Sequence, residues 1–172
     1  NDYPERPDRA YVAYIDGGPI ILDISDKAHP QQVSRLDYHP PMTGFTHTVL
    51  PLFSKDTLIV SDEAIRPGGE DWPKPVWVVD ARDETRPMII GTLPVPPVDE
   101  FAGRGGRFGA HNLHENHPLP TALRSESLVY GAYFNAGVRV VDVSNPWAPK
   151  EVGYFIPPPP ERSPHGAAQM ND

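Results

Sequence analysis

The 172-residue chain has no cysteine, no long apolar run and no excess of basic residues. Without cysteine, the chain can have no thiol catalysis, disulfide bonds or thiolate-ligated metal sites. Because no run of about 18 apolar residues occurs, the sequence predicts no membrane-spanning helix. The formal net charge is −8, from 15 basic and 23 acidic residues. There is no basic patch, so we do not expect nucleic acid as a partner.

Proline is abundant, with 23 residues, and glycine adds 14 more. This density excludes long helices, because an interior proline removes a hydrogen bond and clashes with the preceding turn. It also approaches the composition of disordered chains. The prolines lie between short runs of β-branched and aromatic residues, however, and do not replace them. That arrangement favours a folded chain of short strands and turns.

One strand pattern recurs three times along the chain. In each case an apolar strand ends in an aspartate and is followed by a polar turn that ends in proline; the aspartates are Asp23, Asp80 and Asp142. An aspartate at a strand end can accept hydrogen bonds from the backbone amides of the next turn. We therefore interpret these three residues as turn-builders and not as catalytic groups.

The recurring unit contains about four short antiparallel strands, which is typical of a β-propeller blade. A β-sandwich is the alternative, but repetition of one four-strand unit favours the propeller. The sequence predicts an all-β fold with blades at about residues 10–46, 47–100 and 108–157, and the start of a further blade at 165–172. Three blades cannot close a ring, since propellers usually have about four to eight. We expect a segment of a larger propeller, with the remaining blades as its partners.

Histidines are concentrated in residues 108–117, which contain His111, His114 and His117. When the repeats are aligned, His47 and His111 fall at equivalent places, where the first strand of a blade lines the central channel. Imidazole is a common metal ligand. One hypothesis is a transition metal (copper, iron or zinc) bound by His47 and His111, with support from His114 or Glu115. The alternative is that these are hydrogen-bonding residues at a wet channel mouth, with His114 and His117 in a surface turn.

Two other segments could carry chemistry. Asp62 and Glu63 close a strand, and such a carboxylate pair can serve as a ligand or general base, or be a solvated turn. The glycine-rich run at residues 103–109 contains Arg104 and Arg107 and could cradle an anion. No helix follows this run, so a flexible connector is the alternative.

Two segments resemble the LVIVD-repeat family of β-propellers: residues 14–25 (YIDGGPIILDIS) and 134–146 (FNAGVRVVDVSNP). Residues 149–154 (PKEVGY) also look typical of that family, and residues 47–52 and 111–116 resemble one bacterial subgroup. More distantly, the architecture is similar to selenium-binding protein and methanethiol oxidase propellers, in which channel histidines hold a metal. The resemblance implies the propeller fold. It does not imply an activity, because many members have none established.

We therefore expect a binding or interaction module that presents loops on a rigid β scaffold, with a histidine-lined metal site in the channel. The alternative from a different class is a metal-dependent oxidase-like enzyme that uses the same histidines. A third hypothesis is a secreted surface protein whose propeller mediates adhesion. We expect an extracellular or periplasmic location.

Overall fold

The chain was studied as a computed structural model, which describes residues 3–72, 74–158 and 162. These residues form three antiparallel sheets, and the described α-helix is a single turn, α1 (Val98–Phe101). The predicted all-β class, with blade-like antiparallel sheets, is confirmed. The predicted start of a further blade at residues 165–172 lies outside the described residues. In the described part of the chain, no helix is long and apolar enough to cross a membrane.

Each sheet follows chain order. The first contains β1 (Arg9–Ala13), β2 (Pro19–Asp23) and β3 (Gln31–Arg35). The second contains β4 (Thr46–Leu52), β5 (Thr57–Asp62), β6 (Val76–Asp80) and β7 (Met88–Thr92). The third contains β8 (Leu128–Ala132), β9 (Val138–Asp142) and β10 (Lys150–Phe155). Short 3₁₀ turns occupy Phe53–Lys55 and Ala102–Arg104.

The third sheet has an irregular fourth member, the segment 111–114. Leu113 forms an isolated antiparallel bridge with Gly131 of β8. The backbone amide of His111 donates to the carbonyl of Ala132 at 2.9 Å. This segment therefore lies beside β8 as β4 lies beside β5, and it brings His111 to the edge of the sheet.

The first and third sheets share one hairpin geometry, in the loops at residues 14–18 and 133–137. Ile15 and Phe134 both have φ of 46°, and the closing glycines, Gly18 and Gly137, have φ of 73° and 75°. In each loop the first residue donates its amide to the carbonyl of the glycine, at 3.1 and 2.8 Å. Since a non-glycine residue with positive φ is uncommon, its recurrence at the same place identifies the two sheets as copies of one unit.

The strand-end aspartates build turns, as predicted. The carboxylate of Asp23 accepts the amide of Ser25 at 2.9 Å. Asp80 and Asp142 accept the amide two residues further on in the same way, at 3.0 and 2.8 Å. The pKa of each carboxyl is held below its usual value, mainly by a side-chain hydrogen bond from the residue two positions on: Ser25, Arg82 and Ser144.

A loss of stability at acid pH follows from these turns. A carboxyl with a lowered folded-state pKa stabilises the fold above its unfolded pKa, and that contribution disappears as pH falls through the folded value. Converting all three (Asp23, Asp80 and Asp142) to asparagine should lower the melting temperature at pH 6 and make it less pH-dependent below about pH 4. Calorimetric melting of both proteins from pH 6 to 2.5 would check this. Parallel curves, with an unchanged difference at every pH, would contradict it.

The second sheet lies between the other two and is buried on both faces. Toward the third sheet it presents Leu50, Ile59 and Val78, which pack with Val129 and Val141. Toward the first sheet its residues include Val60, Trp77 and Val79, which cluster with Ile21. This two-sided burial explains why β5 and β6 have nearly continuous apolar runs without the alternation of a half-exposed strand. The second sheet is thus packed on both faces, and residues of the third sheet are positioned against one of them.

Candidate functional site

The adjacent carboxylates Asp62 and Glu63 have separate environments, because successive side chains of an extended strand point to opposite faces. Asp62 is fully buried. Its Oδ1 accepts the hydroxyls of Tyr38 at 2.6 Å and Thr46 at 3.0 Å, and its Oδ2 accepts the indole N–H of Trp77 at 2.8 Å. This carboxylate links three elements of the core and has no route to a ligand.

Two effects oppose each other at Asp62. The pKa of its carboxyl is raised, mainly by burial, and hydrogen bonds from Tyr38, Trp77 and Thr46 and the charge of Lys74 offset only part of this rise. Burial next to the same carboxylate also raises the pKa of the Tyr38 phenol. The three donors all match an ionised acceptor, so the geometry suits a structural carboxylate. Of the two carboxylates, only Glu63 is therefore available to bind a ligand.

Glu63 faces two histidines. Its Oε2 lies 3.7 Å from Nε2 of His47, and its Oε1 lies 3.7 Å from Nε2 of His111. The two imidazole rings are 4.5 Å apart between centroids. The three residues can each offer one ligand atom within 4.8 Å of the others. We call this group the His–Glu–His cluster.

A β-bulge places His47. Thr46 pairs with Asp62 and Thr48 pairs with Ser61, so His47 is the extra residue of β4 with no partner opposite it. Bulges redirect a side chain out of the regular pleat and are common beside functional sites. Without this bulge, the strand register would not bring the imidazole to Glu63.

His111 is fixed by contacts with both neighbouring sheets. Its carbonyl accepts the hydroxyl of Ser61 at 2.6 Å, while its amide is bonded to β8. Its ring stacks on Phe134, with centroids 4.9 Å apart and planes 10° from parallel. Phe134 belongs to the recurring positive-φ hairpin, so the repeat geometry itself supports the imidazole.

The cluster is open on one side. The side chains of Glu63 and His111 are 11% and 10% exposed, whereas that of His47 is 32% exposed. Arg107 is bonded to the carboxylate of the cluster: its Nη1 donates to Oε1 of Glu63 at 2.8 Å, and its side chain is 37% exposed. The arrangement combines two imidazoles, one carboxylate and one guanidinium at the junction of the second and third sheets, with access from solvent.

The two supporting ligands proposed from sequence, His114 and Glu115, have contacts of their own. His114 accepts the amide of Tyr130 at its Nδ1, at 3.2 Å, and its ring stands edge-on to that tyrosine. Its Nε2 is buried without a hydrogen-bond partner, and burial lowers the pKa of the imidazole. Glu115 contacts His117. Among the described residues, the group of potential ligands that converges is His47, Glu63 and His111, so His114 and Glu115 stand outside it.

Sequence reasoning did not place Arg107 or Phe134 at this site. Arg107 belongs to the glycine-rich run that was interpreted as an anion cradle or a flexible connector, and Phe134 was quoted only as part of a repeat. The signal for Phe134 was available in the repeat alignment, where it matches Ile15, a residue that bridges to Thr46 at the head of β4. Nothing local in sequence indicated that Arg107 would contact Glu63, which is 44 positions away.

The donor atoms of the cluster suit a borderline transition metal. Imidazole nitrogen with carboxylate oxygen is a ligand set used for zinc, copper(II) and iron(II). Ligands about 2.1 Å from a tetrahedral zinc stand about 3.4 Å from one another, close to the 3.7 Å between Oε2 of Glu63 and Nε2 of His47. The bond from Arg107 to Oε1 also fits, because ligating carboxylates are usually hydrogen-bonded by an outer group, and Oε2 can still face a metal.

Comparison with known families gives a match at two places, residues 8–37 and residues 125–156. Both segments match the LVIVD repeat. They contain β1–β3 of the first sheet and β8–β10 of the third sheet, which share the positive-φ hairpin and the strand-end aspartate turn. The second sheet lies between the two matched repeats. A search of curated proteins found no match.

Proposed function

We propose that this chain is a β-propeller binding module in which His47, Glu63 and His111 bind one divalent transition-metal ion. The observation that supports this is the convergence of three potential ligand atoms within 4.8 Å at the junction of two sheets. The two histidines are 64 positions apart in the sequence, so their meeting depends on the fold. A solvated polar edge would need neither two histidines at equivalent places in two repeats nor a bulge that turns one of them toward the other.

The donor set narrows the choice of metal. The cluster has no sulfur ligand, which disfavours copper(I), and it has too few oxygens for calcium or magnesium. Zinc, copper(II) and iron(II) remain, and copper(II) should bind most tightly of these at a nitrogen and oxygen site. Bound metal would neutralise Glu63 and fix both imidazoles, so it should also stabilise the fold.

Metal content is the deciding measurement. Purified protein incubated with copper(II) or zinc and then gel-filtered should retain one equivalent by elemental analysis. His47→Ala, His111→Ala and Glu63→Gln should each reduce retention at least tenfold, since each removes one of three ligands. His29→Ala is the matched control, because its imidazole is 77% exposed and contacts only Asp26 in the described contacts; it should retain a full equivalent.

His114→Ala adds a second comparison, because His114 was also a candidate ligand. It should retain metal, since it stands outside the cluster. Absence of bound metal from the unaltered protein under these conditions would end the proposal. Equal retention by all the variants would place the metal elsewhere.

The second candidate is a metal-dependent oxidase-like enzyme at the same cluster. The observation in its favour is that three protein ligands leave at least one coordination position for an outside molecule, as in catalytic rather than structural sites. When bound, copper or iron would supply one-electron chemistry there. Oxygen uptake by the copper-loaded protein with a panel of small organic reductants should then be catalytic and should disappear in His111→Ala. A loaded protein with no uptake is a binding module only.

A further inference from the structure

Arg107 sets the charge of the His–Glu–His cluster. With both imidazoles neutral, as metal ligation requires, Glu63 contributes −1 and Arg107 contributes +1. The cluster therefore carries no formal charge before a metal binds. A divalent ion would raise it to +2, in a chain whose total is −8. A local positive charge with an open coordination position favours a negatively charged ligand.

The backbone holds Arg107 in place from two sides. Arg107 forms an isolated bridge with Pro67, and the carbonyl of the neighbouring Gly106 accepts the amide of Gly68 at 2.8 Å. The amide of Asn135 donates to the Arg107 carbonyl at 3.3 Å. The glycine-rich run is thus bonded to the insertion of the second sheet and to the hairpin of the third, which is more order than a flexible connector has.

The side chain of Arg107 is also oriented. Its guanidinium carbon lies 5.1 Å from the ring centroid of Phe134, the ring on which His111 stacks. Nη1 donates to Glu63, and a guanidinium has five N–H donors in a planar fork. The side chain of Arg107 is 37% exposed and that of His47 is 32% exposed, so solvent reaches both the guanidinium and this imidazole.

We propose that the outside ligand of this site is a small monocarboxylate anion that binds the metal at its open position and Arg107 through the guanidinium. This rests on the metal-binding function proposed above and names the class of ligand for it. The planar fork matches a carboxylate in geometry and charge. Glu63 lies within hydrogen-bond distance of the same guanidinium, so a monoanion suits the site better than a phosphate dianion, which the Glu63 carboxylate would repel.

Cobalt(II) in place of the native metal allows a direct test, because its visible spectrum reports the coordination of the ion. The cobalt-loaded chain is titrated with acetate and, separately, with acetamide, which has nearly the same size and shape but no charge. Acetate should change the spectrum with saturation, and acetamide at equal concentration should not. The same titrations are run on Arg107→Gln, on Arg107→Lys and on Arg104→Gln.

Arg104→Gln is the matched control, since Arg104 lies in the same run but contacts Glu100. At a cobalt concentration that saturates each variant, Arg107→Gln should bind acetate roughly 10- to 100-fold more weakly than the unaltered protein, because one charge-assisted contact is lost. Arg107→Lys, which keeps the charge without the fork, should fall between Arg107→Gln and the unaltered protein. Arg104→Gln should behave as the unaltered protein does.

The outcomes separate the two proposals. If the unaltered protein gives no cobalt spectrum, the metal-binding function is wrong and the carboxylate site falls with it. If cobalt binds, but acetate has no effect or has the same affinity in Arg107→Gln, the metal site stands and the carboxylate inference is wrong. An equal response to acetamide would also overturn it.

Discussion

Replacing Asp62 with alanine is expected to lower the free energy of unfolding by roughly 3–5 kcal/mol. The change removes the acceptor of three buried donors, on Tyr38, Thr46 and Trp77; the hydroxyls of Tyr38 and Thr46, 2.6 Å apart, can still bond to each other. A buried donor that loses its partner costs about 1–3 kcal/mol, and the removed carboxylate also leaves a small cavity. Chemical denaturation followed by tryptophan fluorescence would measure the difference, because Trp77 is one of the three donors.

Two further variants make the Asp62 prediction specific. Asp62→Asn keeps one acceptor oxygen for Tyr38 and Thr46 but turns an amide N–H₂ toward the indole N–H of Trp77, so it should cost less, roughly 1–3 kcal/mol. Glu70→Ala, which removes an exposed carboxylate, should change stability by no more than about 0.5 kcal/mol. If Asp62→Ala were as mild as Glu70→Ala, the buried network would not hold the segment of Tyr38, after β3, to the second sheet.

Replacing Gly137 with alanine is the second change with a large expected effect, a loss of roughly 2–4 kcal/mol in the free energy of unfolding. Gly137 has φ of 75°, a conformation that costs a residue with a Cβ about 1–2 kcal/mol. The added Cβ would also stand 2.3 Å from the carbonyl oxygen of Phe155. Because that atom is backbone, β10 would have to move away from the hairpin.

Gly153→Ala is the matched control for this glycine, since a Cβ at that position in β10 has nothing within 4 Å. It should leave the melting temperature nearly unchanged. Gly18→Ala should repeat the effect of Gly137→Ala, because Gly18 has φ of 73° and its Cβ would stand 2.3 Å from the carbonyl of Leu36. A mild Gly18→Ala beside a severe Gly137→Ala would contradict the equivalence of the two hairpins.

Gly137→Ala and Gly18→Ala should both affect metal binding, because each strained hairpin contacts the segment of one cluster histidine. The hairpin of Gly137 carries Phe134, on which His111 stacks. The hairpin of Gly18 carries Ile15, which bridges to Thr46, the residue before His47. Both variants should therefore bind metal more weakly than Gly153→Ala, and metal titration well below the melting temperature of each variant would measure the difference.

The fold class and the turns could be predicted from sequence because their causes are local. The strand-end aspartates bond to amides only two residues away, so the position of each aspartate in the sequence is enough to predict the turn. The glycines that close the hairpins indicate a positive φ, because glycine adopts that conformation without the strain of a Cβ. The short β-rich runs between prolines correspond to observed strands, and those runs also carry the two segments that match the LVIVD repeat.

The candidate site was only partly predictable. Repeat alignment paired His47 with His111, and the structure brings their rings to 4.5 Å. The supporting residues suggested by closeness in sequence, His114 and Glu115, lie outside the cluster, while Glu63 lies inside it. Adjacency along an extended strand is misleading here, because neighbouring side chains face opposite ways, and the same rule separates Asp62 from Glu63.

The sequence by itself thus determined an all-β chain of repeated hairpins, since strand pattern and turn chemistry act over a few residues. The tertiary structure decided which polar side chains meet. The bulge at His47 depends on how β4 pairs with β5, and the contact of Arg107 with Glu63 depends on how a loop of the third sheet lies against the second. Those contacts join residues tens of positions apart, and only the packing of one sheet against the next brings them within reach.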